Sequence, residues 1–367
     1  MTETDFGSLV VRGTLHCVVA FDWGEEVYLD RAAELVHSAA GLLPRRPRTP
    51  AAIAYRPAPL CFDLGQQQLP FANLTTAASL EAIVFDFGAA NITFRVPFEL
   101  PAAELAEIAS GLAEQQWLLP LARKAATPLF ERLLPAIDEP TWSDSYEDYF
   151  TFQLEPHEAL FQGGRLHETC RGWLVKLLRL EKTRFSDQEI AEALRCQISY
   201  GRDDAAFIEW AAAVVIDRDC EETIHTIEFA NLQLLEFRYL DHKVDVALLA
   251  ARNQIQTAAR SWLPFWRTHA RPLRLLAEIR MDTVGTFERA SGTLQLVGDQ
   301  YLSRLYRLLA DRFHLAEWAG NVRQAIDVAA DVHETLSSQS AMFRLELLEL
   351  SVVALIVLEI ILAMVGH

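Results

Sequence analysis

A chain of 367 residues exceeds the size at which one hydrophobic core usually stops growing, so length alone predicts two domains. With 51% hydrophobic and 23% charged residues it is neither disordered nor low in complexity. Thirty-three Lys and Arg against fifty Asp and Glu leave a net charge of −17, a field that repels nucleic acid, and no direct nucleic-acid binding is expected. Cys17, Cys61, Cys170, Cys196 and Cys220 are odd in number, widely spaced and free of any CxxC, so they read as reduced thiols rather than a disulfide framework or a zinc site. No cofactor and no metal is implied.

In chain order, Met1–Gly7 carries neither a secretory signal nor a mitochondrial presequence. Leu9–Phe21 is rich in strand formers, and Leu29–Ala40 has helical spacing. Arg45, Arg46 and Arg48 among Pro44, Pro47 and Pro50 read as a solvated turn, with a contact for an acidic partner as the alternative. Ala51–Leu64 is a further strand candidate, Leu80–Phe87 and Ala89–Val96 flank Gly88 as a hairpin, and Asp148–Leu154 is again strand-like. Ala102–Leu119 reads as a helix entered by Pro101 and ended before Pro120. Thirteen of the fifteen prolines fall at or before Pro156, which places a boundary near residues 155–165. Strands alternating with two helices predict an α+β domain over 1–155, a ferredoxin-like α/β sandwich.

The second half reads as mostly helical, with Leu166–Glu181, Asp187–Gln197, a less regular stretch around Phe207–Ile216, and Glu221–Ala251. This gives a helical domain over 160–314. The last 95 residues contain no proline, as long helices require. Within them Val322, Ala329, Leu336, Phe343 and Leu350 recur every seven residues, with Trp318, Ala325 and Val332 four positions earlier, which predicts a long heptad-patterned helix over 315–346. That is a heptad seam, and either a partner helix of the same chain or another copy can fill it.

Leu347–Val365 ends the chain as an apolar helix whose polar members are Glu349, Ser351 and Glu359. Its fourteen Leu, Ile, Val and Met return about 4–8 kcal/mol on insertion, against ~2.5–3.5 kcal/mol for one mid-bilayer charge, so a C-terminal membrane anchor is expected. Arg344 precedes the stretch and no Lys or Arg follows it, which would leave the bulk of the chain in the cytoplasm. Glu359 near mid-span would then have to face a second copy. The alternative is a soluble oligomer with this helix buried at its centre.

Short strings that suggest catalysis lack their context. Asp86-Phe87-Gly88 has no Gly-rich phosphate loop beside it, and His333-Glu334, His157-Glu158 and His167-Glu168 lack a second histidine one helical turn on. Gly163-Gly164-Arg165 lies outside any phosphate-binding pattern, and no GxSxG occurs. The segment Glu228–Asp241 is more informative, because its apolar residues point to every side of a helix and mark it as buried all round. Glu228, Asn231 and Arg238 fall within one sector of about 80°, with Asp241 a turn further on, so a buried polar network that also includes Glu236 is expected there. It reads first as a device that fixes helix packing, then as an assembly interface, then as a ligand or catalytic site.

The strings Ala230–Asp241 (ANLQLLEFRYLD), Gly298–Tyr306 (GDQYLSRLY), Arg312–Trp318 (RFHLAEW), Arg344–Glu349 (RLELLE) and Leu355–Ile360 (LIVLEI), together with the Phe85–Gly88 hairpin, resemble the required-for-meiotic-nuclear-division family. The resemblance implies an α+β plus helical protein with a C-terminal membrane segment, the family's mitochondrial members supporting organellar translation as homo-oligomers, and it supplies no catalytic residues. The missing presequence points to a bacterial-type member.

Taken together, these features predict a non-enzymatic, C-tail-anchored homo-oligomer that acts as a scaffold or tether, with Arg344, Glu349 and Glu359 in membrane insertion and assembly. The alternative is a metal-dependent hydrolase or nuclease using Glu228, Glu236 and Asp241.

Overall fold

The computed structural model describes residues 6–37, 44–45, 53–55, 57–70, 77–162, 165–259, 277, 283–292, 294–296 and 300–365. Arg46, Arg48, Gly163, Gly164, Gly298 and Asp299 lie outside these residues. So do the side chains of Leu336, Phe343, Arg344, Leu350 and Glu359, although the helix runs through them.

A nine-stranded sheet carries the first of two compact units, which comprises Met1–Arg238 and Thr286–Trp318. Its strands are β1 (Val10–Asp22), β2 (Pro44–Arg45), β3 (Leu60–Gln67), β4 (Ala78–Val84), β5 (Ala89–Pro101), β6 (Tyr146–Leu154), β7 (Gln197–Ile198), β8 (Ala205–Ile208) and β9 (Ala212–Ile216), in the order β7-β8-β9-β6-β1-β5-β4-β3-β2. All neighbours are antiparallel except β9 and β6. The helices are α1 (Leu29–His37), α2 (Ala102–Leu112), α3 (Leu118–Leu133), α4 (Glu168–Arg179), α5 (Asp187–Ala193), α6 (Glu221–Ala259), α7 (283–292), α8 (Gln300–Arg312) and α9 (Leu315–Val365).

The fold is α+β, as the sequence predicts, with a larger sheet than a ferredoxin-like unit needs. Ala205–Ile208 and Ala212–Ile216, read as part of a helical half, are strands that extend the same sheet. Runs of four or five apolar residues do not separate strand from buried helix by periodicity. Ala102–Leu119 is also two elements, because Pro120 sits in the first turn of α3, where its missing N–H costs no bond.

Period-two alternation in β1 sends Leu15, Cys17, Val19 and Phe21 to one face of the sheet, into a core shared with α2, α3 and α4. The opposite face packs against the first half of α6, where Phe229, Leu232 and Leu235 meet Ala20, Ile83 and Ala89. The β4–β5 hairpin turns through Gly88, whose φ is +91° and where a Cβ would stand 1.8 Å from the carbonyl oxygen of Gly24. Asp86-Phe87-Gly88 is therefore a turn that only glycine can close.

The second unit comprises Tyr239–Gly285 and Ala319–His367. Within it Val244, Leu248 and Ala251 of α6 pack against Ala325, Ala329 and Val332 of α9, so the start of the heptad seam is filled by the chain's own helix. Helix α9 runs unbroken for 51 residues. Among the described residues no helix is long and apolar enough to cross a membrane. Glu349, exposed, and Ser351 interrupt the apolar run at its start. The expected tail anchor at Leu347–Val365, and the cytoplasmic orientation argued from it, are therefore not carried over.

Candidate functional site

Polar side chains concentrate where the sheet meets the first turns of α6. Register places His16 of β1 directly opposite Arg95 of β5, Arg95 opposite Ser79 of β4, and Thr14 opposite Gln153 of β6. Alternation keeps all of them on the α6 side of the sheet. Glu221, His225 and Glu228 lie four and three residues apart on α6, one face of the helix by the same geometry.

The ties across this layer are specific. Thr93 donates its hydroxyl to Glu228 Oε1 at 3.0 Å, and Asn91 Nδ2 donates to the Glu228 carbonyl at 3.3 Å. Arg95 pairs with Glu81 at 2.8 Å, with only 20% and 11% of their side chains exposed. His16 Nε2 lies 3.3 Å from Gln153 Oε1, while its Nδ1 has no hydrogen-bond partner among the described residues. Glu228 Oε2, Asn91 Oδ1 and Asn231 Nδ2 are likewise buried without one. Burial pushes the Glu228 carboxyl up to about 7, against the pull of Arg95. Burial and then the Arg95 charge bring His16 down to about 3 and His225 to about 4, so both imidazoles are neutral near pH 7. A cavity of about 340 Å³ opens beside them, lined by His16, Arg95, Gln153, Arg218, Cys220 and His225 among others.

The predicted network residues separate. Glu228, Asn231 and Glu236 are buried on α6, in line with an all-round buried helix. Arg238 is exposed, pairs with Glu147 of β6 and stacks over the Trp318 ring at 5.7 Å. It therefore serves a rim carboxylate rather than the buried ones. Asp241 belongs to the second unit, whereas Glu228 and Glu236 belong to the first. Among the described residues no group of three or more His, Cys, Asp and Glu is placed to hold a metal ion, which removes the basis for a metal-dependent hydrolase built on Glu228, Glu236 and Asp241.

A second polar centre was not legible in the sequence. Glu209, 1% exposed, pairs with Arg179 Nε of α4 at 2.9 Å and with Arg312 of α8, and accepts the Trp210 N–H at 2.7 Å. The Tyr149 hydroxyl donates to the Glu209 carbonyl at 2.6 Å. Arg–Glu–Arg clusters of this kind neutralise a buried charge and tie elements far apart in sequence. Here they fasten α8 and α4 to the end of the sheet.

These features define an α+β protein whose central sheet packs apolar helices on one face and α6 on the other, the second interface turning from apolar to polar toward the first turn of α6. The family described as the N-terminal domain of uncharacterized protein MJ0711 matches residues 12–222, more than half of the chain, and the chain belongs to that family. The uncharacterized protein MJ0711 of Methanocaldococcus jannaschii is 29% identical over 195 residues, covering 52% of this chain and 58% of that protein. The chain thus matches a little over half the length of this relative. No solved structure matches. The matched residues run from β1 to the first residues of α6 and include His16, Arg95, Gln153, Arg218 and Cys220. The long strings behind the resemblance to the required-for-meiotic-nuclear-division family lie C-terminal to them, and the family shown does not carry that name.

Proposed function

We propose that the chain is a non-catalytic assembly protein that self-associates through the C-terminal part of α9, burying this helix at the centre of a homo-oligomer and serving as a scaffold. One observation carries the reading: nine Leu, Ile and Val side chains between Leu348 and Ile361 stand 47–64% exposed along one helix. At roughly 1 kcal/mol for each half-exposed aliphatic side chain, covering them offers on the order of 10 kcal/mol, more than a monomer ordinarily leaves facing water. A second copy is the favoured cover. Glu349 sits among the apolar residues, and a helix–helix seam tolerates such a carboxylate at its edge far better than hydrocarbon does. The resemblance at residues 230–241 and 344–360 supports homo-oligomers as well, and a role near translation is the finer form of the same proposal.

Light scattering of the full chain beside Leu355→Glu and Ile356→Glu tests this. The wild type is expected to be a defined multimer and the variants to lose it at unchanged helix content. A monomeric wild type, or a chain held by neutral lipid vesicles and released by the same substitutions, would overturn the proposal.

A further inference from the structure

We propose that the cavity between the sheet and the first turn of α6 binds a small molecule carrying an oxyanion, a phosphate or a carboxylate, held by Arg218, Arg95 and the imidazoles of His16 and His225. The site is built rather than incidental. A helix resting on a sheet normally meets it with apolar side chains, as Phe229, Leu232 and Leu235 do two to four turns further along α6. At the first turn the same sheet face presents Thr14, His16, Ser79, Arg95 and Gln153 instead. Burying such groups is costly unless something satisfies them.

His16 is 4% exposed, lines the cavity and has an Nδ1 with no partner among the described residues. The volume of about 340 Å³ suits a small metabolite. Cys220, Glu221 and Ile224 also line it, so the first turn of a 39-residue helix, with amides that have no helical acceptor, borders the site. The field inside is polarised. Burial first, and then the carboxylates of Asp217, Asp219 and Glu221, raise the Cys220 thiol to about 12, whereas at His16 and His225 the dominant neighbouring charge is Arg95. Arg95 is already paired with Glu81 at 2.8 Å, so the charge that would draw an anion to this cavity comes from the exposed Arg218, while the Arg95 guanidinium still disfavours a metal cation beside the imidazoles. Gln153 Nε2 donates to the Asp217 carbonyl and its Oε1 accepts from His16 Nε2, so the neutral His16 ring keeps a bare Nδ1 that accepts from the hydroxyl of a protonated phosphate or carboxyl, while His225 supplies an N–H.

A larger cavity of about 590 Å³ opens between α2 and α4 and carries no comparable demand. Trp173 Nε1 there already donates to the Ala102 carbonyl at 2.6 Å, and Lys182 pairs with Glu107.

The test uses the full chain with inorganic phosphate and acetate as separate probes, read by thermal shift and calorimetry. Arg218 is exposed and His225 half-buried, so Arg218→Ala and His225→Asn leave the core intact. Saturable millimolar binding of either anion, weakened about tenfold or more by each variant and unchanged in the exposed control Arg195→Ala, is expected, and the probe that binds more tightly identifies the ligand class. No saturable binding of either anion, variants that bind like the wild type, or binding of zinc alone that is lost in His225→Asn would each overturn the proposal.

Discussion

Thr93 donates a hydroxyl hydrogen bond of 3.0 Å to Oε1 of Glu228, a residue 2% exposed, joining strand β5 to helix α6 through a carboxyl group that prefers to be neutral. Because the folded carboxyl titrates at about 7 against 4.5 in an open chain, the native state holds the extra proton between those values. Stability from this group is therefore full below pH 4.5 and is lost as the pH rises through 7. Glu228→Gln removes the loss, and its advantage over the wild type should grow by about 3 kcal/mol between pH 4 and pH 8. Urea unfolding at the two pH values measures it, and a constant difference would show that Glu228 is not the titrating group.

His16 acts in the opposite direction. Its folded value, about 3, lies below the ordinary 6.5, so the unfolded chain takes up the proton first as the pH falls. Stability is full above 6.5 and declines toward 3, with His225 adding to the decline down to about 4. Between pH 7 and pH 4 the His16 share is roughly 3 kcal/mol. His16→Gln keeps a hydrogen-bonding side chain and cannot titrate, so acid unfolding should begin at lower pH than in the wild type. Circular dichroism across an acid titration, with His225→Gln as the partner variant, checks the order.

Glu209 offers a test of the α8 attachment. Glu209→Ala leaves Arg179 and Arg312 facing each other without their shared carboxylate, although Arg179 retains Glu189 at 2.6 Å. Losing such a centre should cost about 3–5 kcal/mol, while exchange of all three for apolar residues of similar volume should cost far less. Chemical denaturation of Glu209→Ala beside the triple variant compares the two, and a mild effect of Glu209→Ala alone would mean that the cluster is solvated.

How much of this could be read from the sequence depends on which side of each strand carried the message. Strand β1, helix α1 and the hairpin at Gly88 were legible, because alternating or helically spaced apolar residues and a turn glycine mark them directly. Glu228 and Asn231 were legible as buried, because the helix around them is apolar on every side. His16, Arg95 and Gln153 were not. In an alternating strand, polar residues read as solvent-facing, and only the presence of α6 over that face turns them inward. Glu209 lies between two short apolar runs that periodicity cannot classify, and its partners Arg179 and Arg312 are 30 and 103 residues away. The exposed apolar residues of α9 were visible at once, but composition alone does not say whether lipid or another helix covers them.

Arg238 shows how far placement changes an expected energy. Its sector on α6 suggests a partner for buried carboxylates, whose loss would cost as much as breaking a buried pair. Instead 46% of its side chain is exposed, its partner Glu147 is 16% exposed, and the guanidinium lies 5.7 Å from the Trp318 ring centroid. Solvent screens such a pair to about 1 kcal/mol or less, and a ring contact at this depth adds roughly 0.5–1 kcal/mol. Burial already raises the Glu147 carboxyl, with Arg238 pulling it back, so removing the cation should raise it further. Arg238→Ala is therefore expected to cost about 1–2 kcal/mol, less in high salt, and Arg238→Lys to recover only part of it because an ammonium lacks the planar fork. Urea unfolding at low and high ionic strength measures both variants. A salt-independent loss of 4 kcal/mol or more would place Arg238 on the buried carboxylates after all, since only a desolvated pair resists screening to that degree.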